Sequence, residues 1–264
     1  MFVNTKLRTL ICMSLVSTLA FCNDEDPIAY SFNLRPVVAL SGGYASLNPG
    51  NSQLLPSVNQ VPQNSHQAQG KNTGFVGGLL GVETLLPWSG PWPDYFIQTG
   101  IEYNYFGSVN ATGYNTVSTS PSSLVVYHYA YSLQSQQVLA SAKGFATYHK
   151  RFHPYVLVGL GAAFNQLGPY AITDEEPGAL DLVSTTSNTN TTQFSYALAA
   201  GFDADVDNSW RVGCGYRYSN LGQARQGSGV IAVNNIQYPA SFSVGASHAF
   251  ANQFLVQVTY LPFD

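Results

Sequence analysis

The chain has 264 residues, of which only 9% are charged, whereas an ordinary soluble domain carries about a quarter. Fourteen acidic against ten basic residues argue against nucleic acid as a partner. Beyond the first residues no apolar run approaches the roughly 20 that a membrane helix needs, so helical spans are excluded and any membrane residence must be through strands.

The chain begins with Lys6 and Arg8 ahead of an apolar stretch from Leu10 to Phe21, which is the pattern of an export leader. Small residues at Ala20 and Cys22, followed by acidic Asp24, Glu25 and Asp26, place cleavage after Cys22. Lipid modification of Cys22 is disfavoured by the bulky Phe21 before it. The expected organisation is therefore a signal peptide over 1–22, a short exported segment over 23–34 and the body of the mature chain over 35–264. Loss of Lys6 and Arg8 with the leader leaves eight basic against fourteen acidic residues, a net charge of −6. Cys12 and Cys22 leave as well, so Cys214 is the one remaining cysteine and no internal disulfide is expected.

From there the sequence alternates with a period of two in short segments bounded by turn formers, which predicts eight strands near 35–46, 73–85, 94–107, 133–149, 153–165, 192–205, 209–220 and 252–263. In the third, Tyr95, Ile97, Ile101, Tyr103 and Tyr105 share one face and Gln98, Gly100, Glu102 and Asn104 the other. The sixth sets Phe194, Leu198 and Phe202 against Ser195, Ala199 and Asp203, the seventh Val212 and Tyr216 against Arg211 and Arg217, and the last Phe254, Val256 and Val258 against Gln253 and Gln257. A lipid-facing apolar side and a polar interior are the expectation for a membrane barrel. The second and fifth strands, around Phe75–Leu80 and Val156–Leu160, are apolar on both faces and do not show their sides.

Short joins near 86–93, 149–153 and 205–209 alternate with long polar ones near 47–72, 107–132, 166–191 and 221–251, as periplasmic turns alternate with outward loops. Residues 238–250 also alternate and read as an extension of the eighth strand or a loop hairpin. Aromatics beside the short turns, Trp88, Trp92, Tyr95, Tyr148, Phe152, Tyr155, Trp210, Tyr260 and Phe263, predict an inner interfacial girdle. Tyr44, Tyr105, Phe164, Phe194 and Tyr218 are candidates for the outer one.

The segments Gly74–Gly78, Gln137–Gly144, Phe152–Gly161 and Trp210–Gly222, in that order, resemble the second, fourth, fifth and seventh strands of opacity-type and OmpA-like porin-family barrels. The resemblance spans nearly all of the mature chain. It implies an up-and-down eight-stranded barrel in the outer membrane of a Gram-negative bacterium, folded by the barrel-assembly machinery. It further implies roles in envelope integrity, adhesion or host interaction. The family usually ends in an aromatic residue, whereas Asp264 follows Phe263 here.

The interior charges expected from these faces are Glu83, Glu102, Lys143, Asp203, Asp205, Arg211 and Arg217, of both signs on adjacent strands, and they should pair into a plug that fixes register. A gated path for small solutes through that plug, and hence a small-solute channel, is the alternative. A lipid-A-modifying enzyme is the other reading: the lipid A deacylase family resembles this chain in size and strand count and carries a His and a Ser two residues apart in its active site, but Ala68, Ala130, Arg151, Tyr155 and Phe250 stand at that spacing from the five histidines here. His149 and His153 read as turn or interface anchors. Asp174, Glu175 and Glu176 form an acidic run of the kind that is normally solvated, and no cofactor, metal or catalytic residue is expected. The expected partners are membrane lipid and lipopolysaccharide, the assembly machinery, and a host or surface ligand for the long polar loops.

Overall fold

The computed structural model describes residues 34–50, 63–65, 70–86, 93–120, 123–149, 151–169, 171–174, 182–186, 188–225, 228–233, 236–241 and 245–262. The leader, residues 23–33 of the N-terminal segment, Trp88, Trp92, Phe263, Glu175 and Glu176 lie outside these, as does the terminal Asp264.

Eight long strands follow in order: β1 (Arg35–Asn48), β2 (Lys71–Leu85), β3 (Asp94–Ser120), β4 (Ser123–Thr147), β5 (Phe152–Leu167), β6 (Thr189–Asp205), β7 (Trp210–Arg225) and β8 (Gly245–Tyr260). Each pairs antiparallel with its predecessor, and β8 returns to β1 from Val38↔Tyr260 to Asn48↔Phe250, so the sheet is a closed up-and-down ring. Closure gives both edges of every strand a partner, which matters where no water can serve the backbone.

The short-turn end is tightly built. At the β4–β5 turn the Phe152 amide donates to the Tyr148 carbonyl at 3.0 Å, with His149 at φ 48° in the left-handed region. At the β6–β7 turn the Asp207 carboxylate accepts the amides of Ser209 and Trp210, both at 2.8 Å. Just after β8 the Leu261 amide donates to the Ser209 carbonyl at 2.8 Å, tying the residue that follows β8 to this turn.

Pleat alternation carries polarity as the sequence indicated. Leu40, Leu80, Ile101, Val156, Leu198, Phe202, Phe254 and Val256 point outward, each more than half exposed, while Glu102, Asp203 and Arg217 are 2% exposed. On β5 the apolar outer surface runs from Phe152 to Phe164, about 40 Å of strand at ~3.3 Å per residue. With a tilt near 45° this becomes about 28 Å of height, close to the ~25 Å apolar band of a membrane barrel.

Beyond that belt, at the long-strand end, the polarity reverses. The outer surface there carries Asn110, Thr112, Gln166, Asn190, Thr192 and Arg225, all exposed. Inside lies an apolar cluster that includes Leu47, Phe75, Phe106, Val109, Tyr129, Tyr131, Leu133, Leu167, Leu221 and Ala249. This corrects the expectation of a polar interior throughout. A wall standing in water gains by turning its apolar side chains inward, as any soluble barrel does.

The same region corrects the strand limits. Residues 107–132, expected as a loop, continue β3 and β4 as a hairpin arm paired as far as Ser120↔Ser123. Alternation breaks at 107 because β3 carries one extra residue between Phe106↔Ser135 and Val109↔Leu133, a β-bulge that shifts the inward set from Phe106 to Val109 and Ala111. Similar shifts in β7 and β8 lie around Gly222, whose φ of +75° suits glycine. Residues 238–250 divide between both readings. Ile236–Ser241 forms a hairpin with Ser228–Val233, itself paired to Leu182–Thr186, while β8 begins at Gly245.

A charge placed in the belt tests this boundary. Leu80→Arg should lower unfolding free energy by about 2–4 kcal/mol in lipid vesicles, whereas Asn110→Arg should change it by less than about 0.5 kcal/mol. Urea titration followed by tryptophan fluorescence would measure both.

Candidate functional site

The candidate site is the belt-level interior, where alternation delivers one set of inward side chains from each strand into a space that an eight-stranded ring can fill with side chains alone. All seven expected charges point into it, six of them at most 4% exposed by side chain and Asp205 at 26%.

They pair across the lumen rather than chiefly between neighbouring strands. Lys143 Nζ of β4 meets Asp203 Oδ2 of β6 at 2.5 Å. Arg211 Nη1 of β7 meets Glu83 Oε2 of β2 at 2.9 Å, and its Nε reaches Asp205 Oδ1 at 2.7 Å. Arg217 Nη1 of β7 meets Glu102 Oε1 on the opposite strand β3 at 2.5 Å and also donates to Asn104 Oδ1 at 3.1 Å. The geometry follows from the narrow bore, because long Lys and Arg side chains leaning inward reach the far wall.

Aromatic rings complete the cations' surroundings. The Lys143 ammonium sits 4.0 Å from the centre of the Tyr155 ring, and the Arg211 guanidinium 4.9 Å from that of Phe145. Tyr155 was expected at the interfacial girdle; it is instead 5% exposed and interior. It lies on the odd, inward parity of β5, and its hydroxyl reaches so close to Gly201 and Gly215 that a side chain at either would collide with it. Of the other girdle candidates, Tyr95, Tyr148, Phe152, Trp210 and Tyr260 are outward and 37–57% exposed. Trp210 and Tyr260 are in ring contact, 4.8 Å between centres.

His153, read from sequence as a turn or interface anchor, is likewise interior at 2% exposure. Its Nε2 lies 2.8 Å from Asp205 Oδ2 and its Nδ1 3.0 Å from Thr147 Oγ1. Hydroxyl, imidazole and carboxylate stand in the order of a nucleophile, base and orienting acid. The buried ring, packed edge-on by Phe145 at 5.5 Å, offers no face to a substrate, and Asp205 is shared with Arg211. The triplet therefore anchors the β4–β5 turn to the interior. Glycines at 159 and 161 and Asn165, on the parity of His153, were the available signal for the inward side of β5.

Above the charges comes a neutral polar layer. Gln137 donates to Ser195 Oγ at 2.7 Å, Gln253 to Ser219 Oγ at 2.7 Å, and Ser135 to Asn165 Oδ1 at 2.7 Å. Asn165 Nδ2 donates in turn to the Leu221 carbonyl at 2.7 Å, where the apolar cluster begins. Cys214 is exposed on the outer face, and among the described residues no group of three or more metal-ligating side chains comes together.

No family model matches the chain, and no curated protein matches it. Among solved structures, Neisserial surface protein A is 13% identical, with 86% of this chain and 96% of that one covered and a TM-score of 0.45. The outer membrane protease OmpT of Escherichia coli is 10% identical, covering 87% and 98%, with a TM-score of 0.44. The outer membrane protein OprG of Pseudomonas aeruginosa is 11% identical, covering 86% and 95%, with a TM-score of 0.35.

Removing one member of a buried pair leaves the other charge uncompensated. Lys143→Met should therefore lower unfolding free energy by about 3–5 kcal/mol, and Lys143→Met with Asp203→Leu should recover most of that loss. Equilibrium unfolding of these two variants, of Asp203→Leu alone and of the wild type in one detergent would measure the coupling.

Proposed function

We propose that this chain is an outer-membrane β-barrel of a Gram-negative bacterium, exported behind a leader over 1–22, with a structural or surface-interaction role. The observation that carries the reading is the sidedness of the ring: Leu40, Ile101, Leu198 and Val256 outward, Glu102, Lys143, Asp203 and Arg217 enclosed. In water that arrangement would expose a continuous apolar belt; in lipid it buries the belt and hides the charges.

The short-turn end then faces the periplasm and the long-strand end the environment. Acyl chains and lipopolysaccharide surround the belt, the assembly machinery inserts it, and the elements beyond it meet a host or surface ligand. Those elements include the β3–β4 arm, which belongs to a stretch without Asp, Glu, Lys or Arg between Glu102 and Lys143. Such an arm suits a neutral polar partner better than a polyanion. The role is one of binding and envelope support, not catalysis. The cross-lumen ion pairs, with the apolar cluster above them, oppose the small-solute channel.

Orientation is testable in a Cys214→Ser background. Asn110→Cys should react with an impermeant maleimide on intact cells, and Asn208→Cys only after the outer membrane is opened; the reverse pattern would overturn the reading. Folded protein should also migrate faster than boiled protein on a gel and give silent planar bilayers. Steady conductance sensitive to Glu102→Gln would favour the channel. Replacing the arm from 108 to 133 by a two-residue turn should reduce cell or matrix binding; unchanged binding would remove the arm as the adhesive element.

A further inference from the structure

Between the ion pairs lies a cavity of about 10 Å³, lined among others by Ser41, Gln98, Glu102, Lys143, Arg217 and Gln257. Four polar atoms of these residues have no hydrogen-bond partner among the described residues: Gln98 Oε1, Gln98 Nε2, Glu102 Oε2 and Arg217 Nε. Gln98 is 1% exposed and Glu102 and Arg217 are each 2% exposed, so bulk solvent does not reach them.

We infer that this cavity is a built site for a single resident water, held between the Glu102–Arg217 pair and Gln98. The unpaired atoms are two acceptors, Gln98 Oε1 and Glu102 Oε2, and two donors, Gln98 Nε2 and Arg217 Nε. A bare cation satisfies only acceptors, and it would sit beside the Lys143 ammonium and the Arg217 guanidinium. An anion satisfies only donors, and it would meet the Glu102 carboxylate. Water both donates and accepts, and the volume is close to the least that holds one molecule with two to four polar partners.

The water has a definite role. Glu102 Oε1 is occupied by Arg217 Nη1 and by Asn104 Nδ2 at 3.2 Å, which leaves Oε2 as the carboxylate's unserved side. A water donating to Oε2 completes the solvation of a charge that would otherwise be half stripped. Gln98, which takes part in no ion pair, is then the residue that positions the water, and through it the central pair.

A crystal structure of the wild-type protein, grown in rubidium chloride and read with anomalous data, tests this. The expected result is one density peak without anomalous signal, within hydrogen-bond reach of Gln98 and Glu102, and missing in Gln98→Leu. An anomalous rubidium peak would make the site a cation site and overturn the inference, and so would a cavity without density. If Gln98→Leu does not show the fast-migrating folded form on a gel, Gln98→Met serves as the comparison. Persistence of the peak in that variant would show that Gln98 does not hold the water and would also overturn the assignment.

Discussion

Closure of the hydrogen-bonded ring is the constraint on which the rest of this structure depends. Within lipid each unpaired backbone group costs several kcal/mol, so a strand there needs partners on both edges along its length. The β1–β8 pairing supplies the last of them. Once the ring is shut, the two-residue pleat divides every strand into an inner and an outer set, and eight strands leave an inner space that side chains must fill. The charged interior follows from that bore: a cation entering from one wall arrives at a carboxylate on another, as Arg217 on β7 does at Glu102 on β3.

Height along the strand then decides what each set contains. At belt level the medium outside is apolar and the enclosed side is the only place for charge, so Lys143, Arg211 and Arg217 lie within. Past the belt water bathes the wall and the ordinary rule returns, with Phe106, Leu133 and Leu167 fully enclosed and Asn110 and Thr112 outside. One continuous strand such as β4 serves both regimes because its inward parity from Tyr129 to Phe145 never changes, while the residues on that parity pass from Tyr129, Tyr131 and Leu133 to a set that includes Ser135, Gln137, Ser141 and Lys143. Where a strand does need to change parity, a bulge does it, as β3 shows between Phe106 and Val109.

This explains how much the sequence disclosed. Strand number, ring topology and the sides of Glu102, Asp203, Arg211 and Arg217 were legible because β3, β6, β7 and β8 alternate cleanly at belt level. The full length of β3 and β4 was not, since a single inserted residue breaks period-two alternation and imitates a strand end. Tyr155 and His153 were misplaced for a different reason: β5 is apolar on both faces, and a tyrosine near a turn suits a lipid interface as well as it suits a cation's underside. Pairing partners were beyond reach, because alternation fixes the wall from which a charge points but not the distance across the bore.

The filled interior also bears on where this protein can meet anything else. A solute crossing the ring would have to separate pairs such as Lys143–Asp203 and Glu102–Arg217, each buried and each costing about 3–5 kcal/mol to leave half made. It would then have to open the apolar layer of Leu47, Phe106, Leu133 and Leu221, whose packing tolerates no polar guest without a comparable loss. Those costs add along the same path, so the lumen serves better as the rigid core of the barrel than as a passage. On the proposed reading, recognition falls to the water-facing wall and the β3–β4 arm, which a hydrogen-bonded sheet holds in place. An arm ordered before binding forfeits less conformational entropy on contact, which favours recognition of weak, neutral partners by shape.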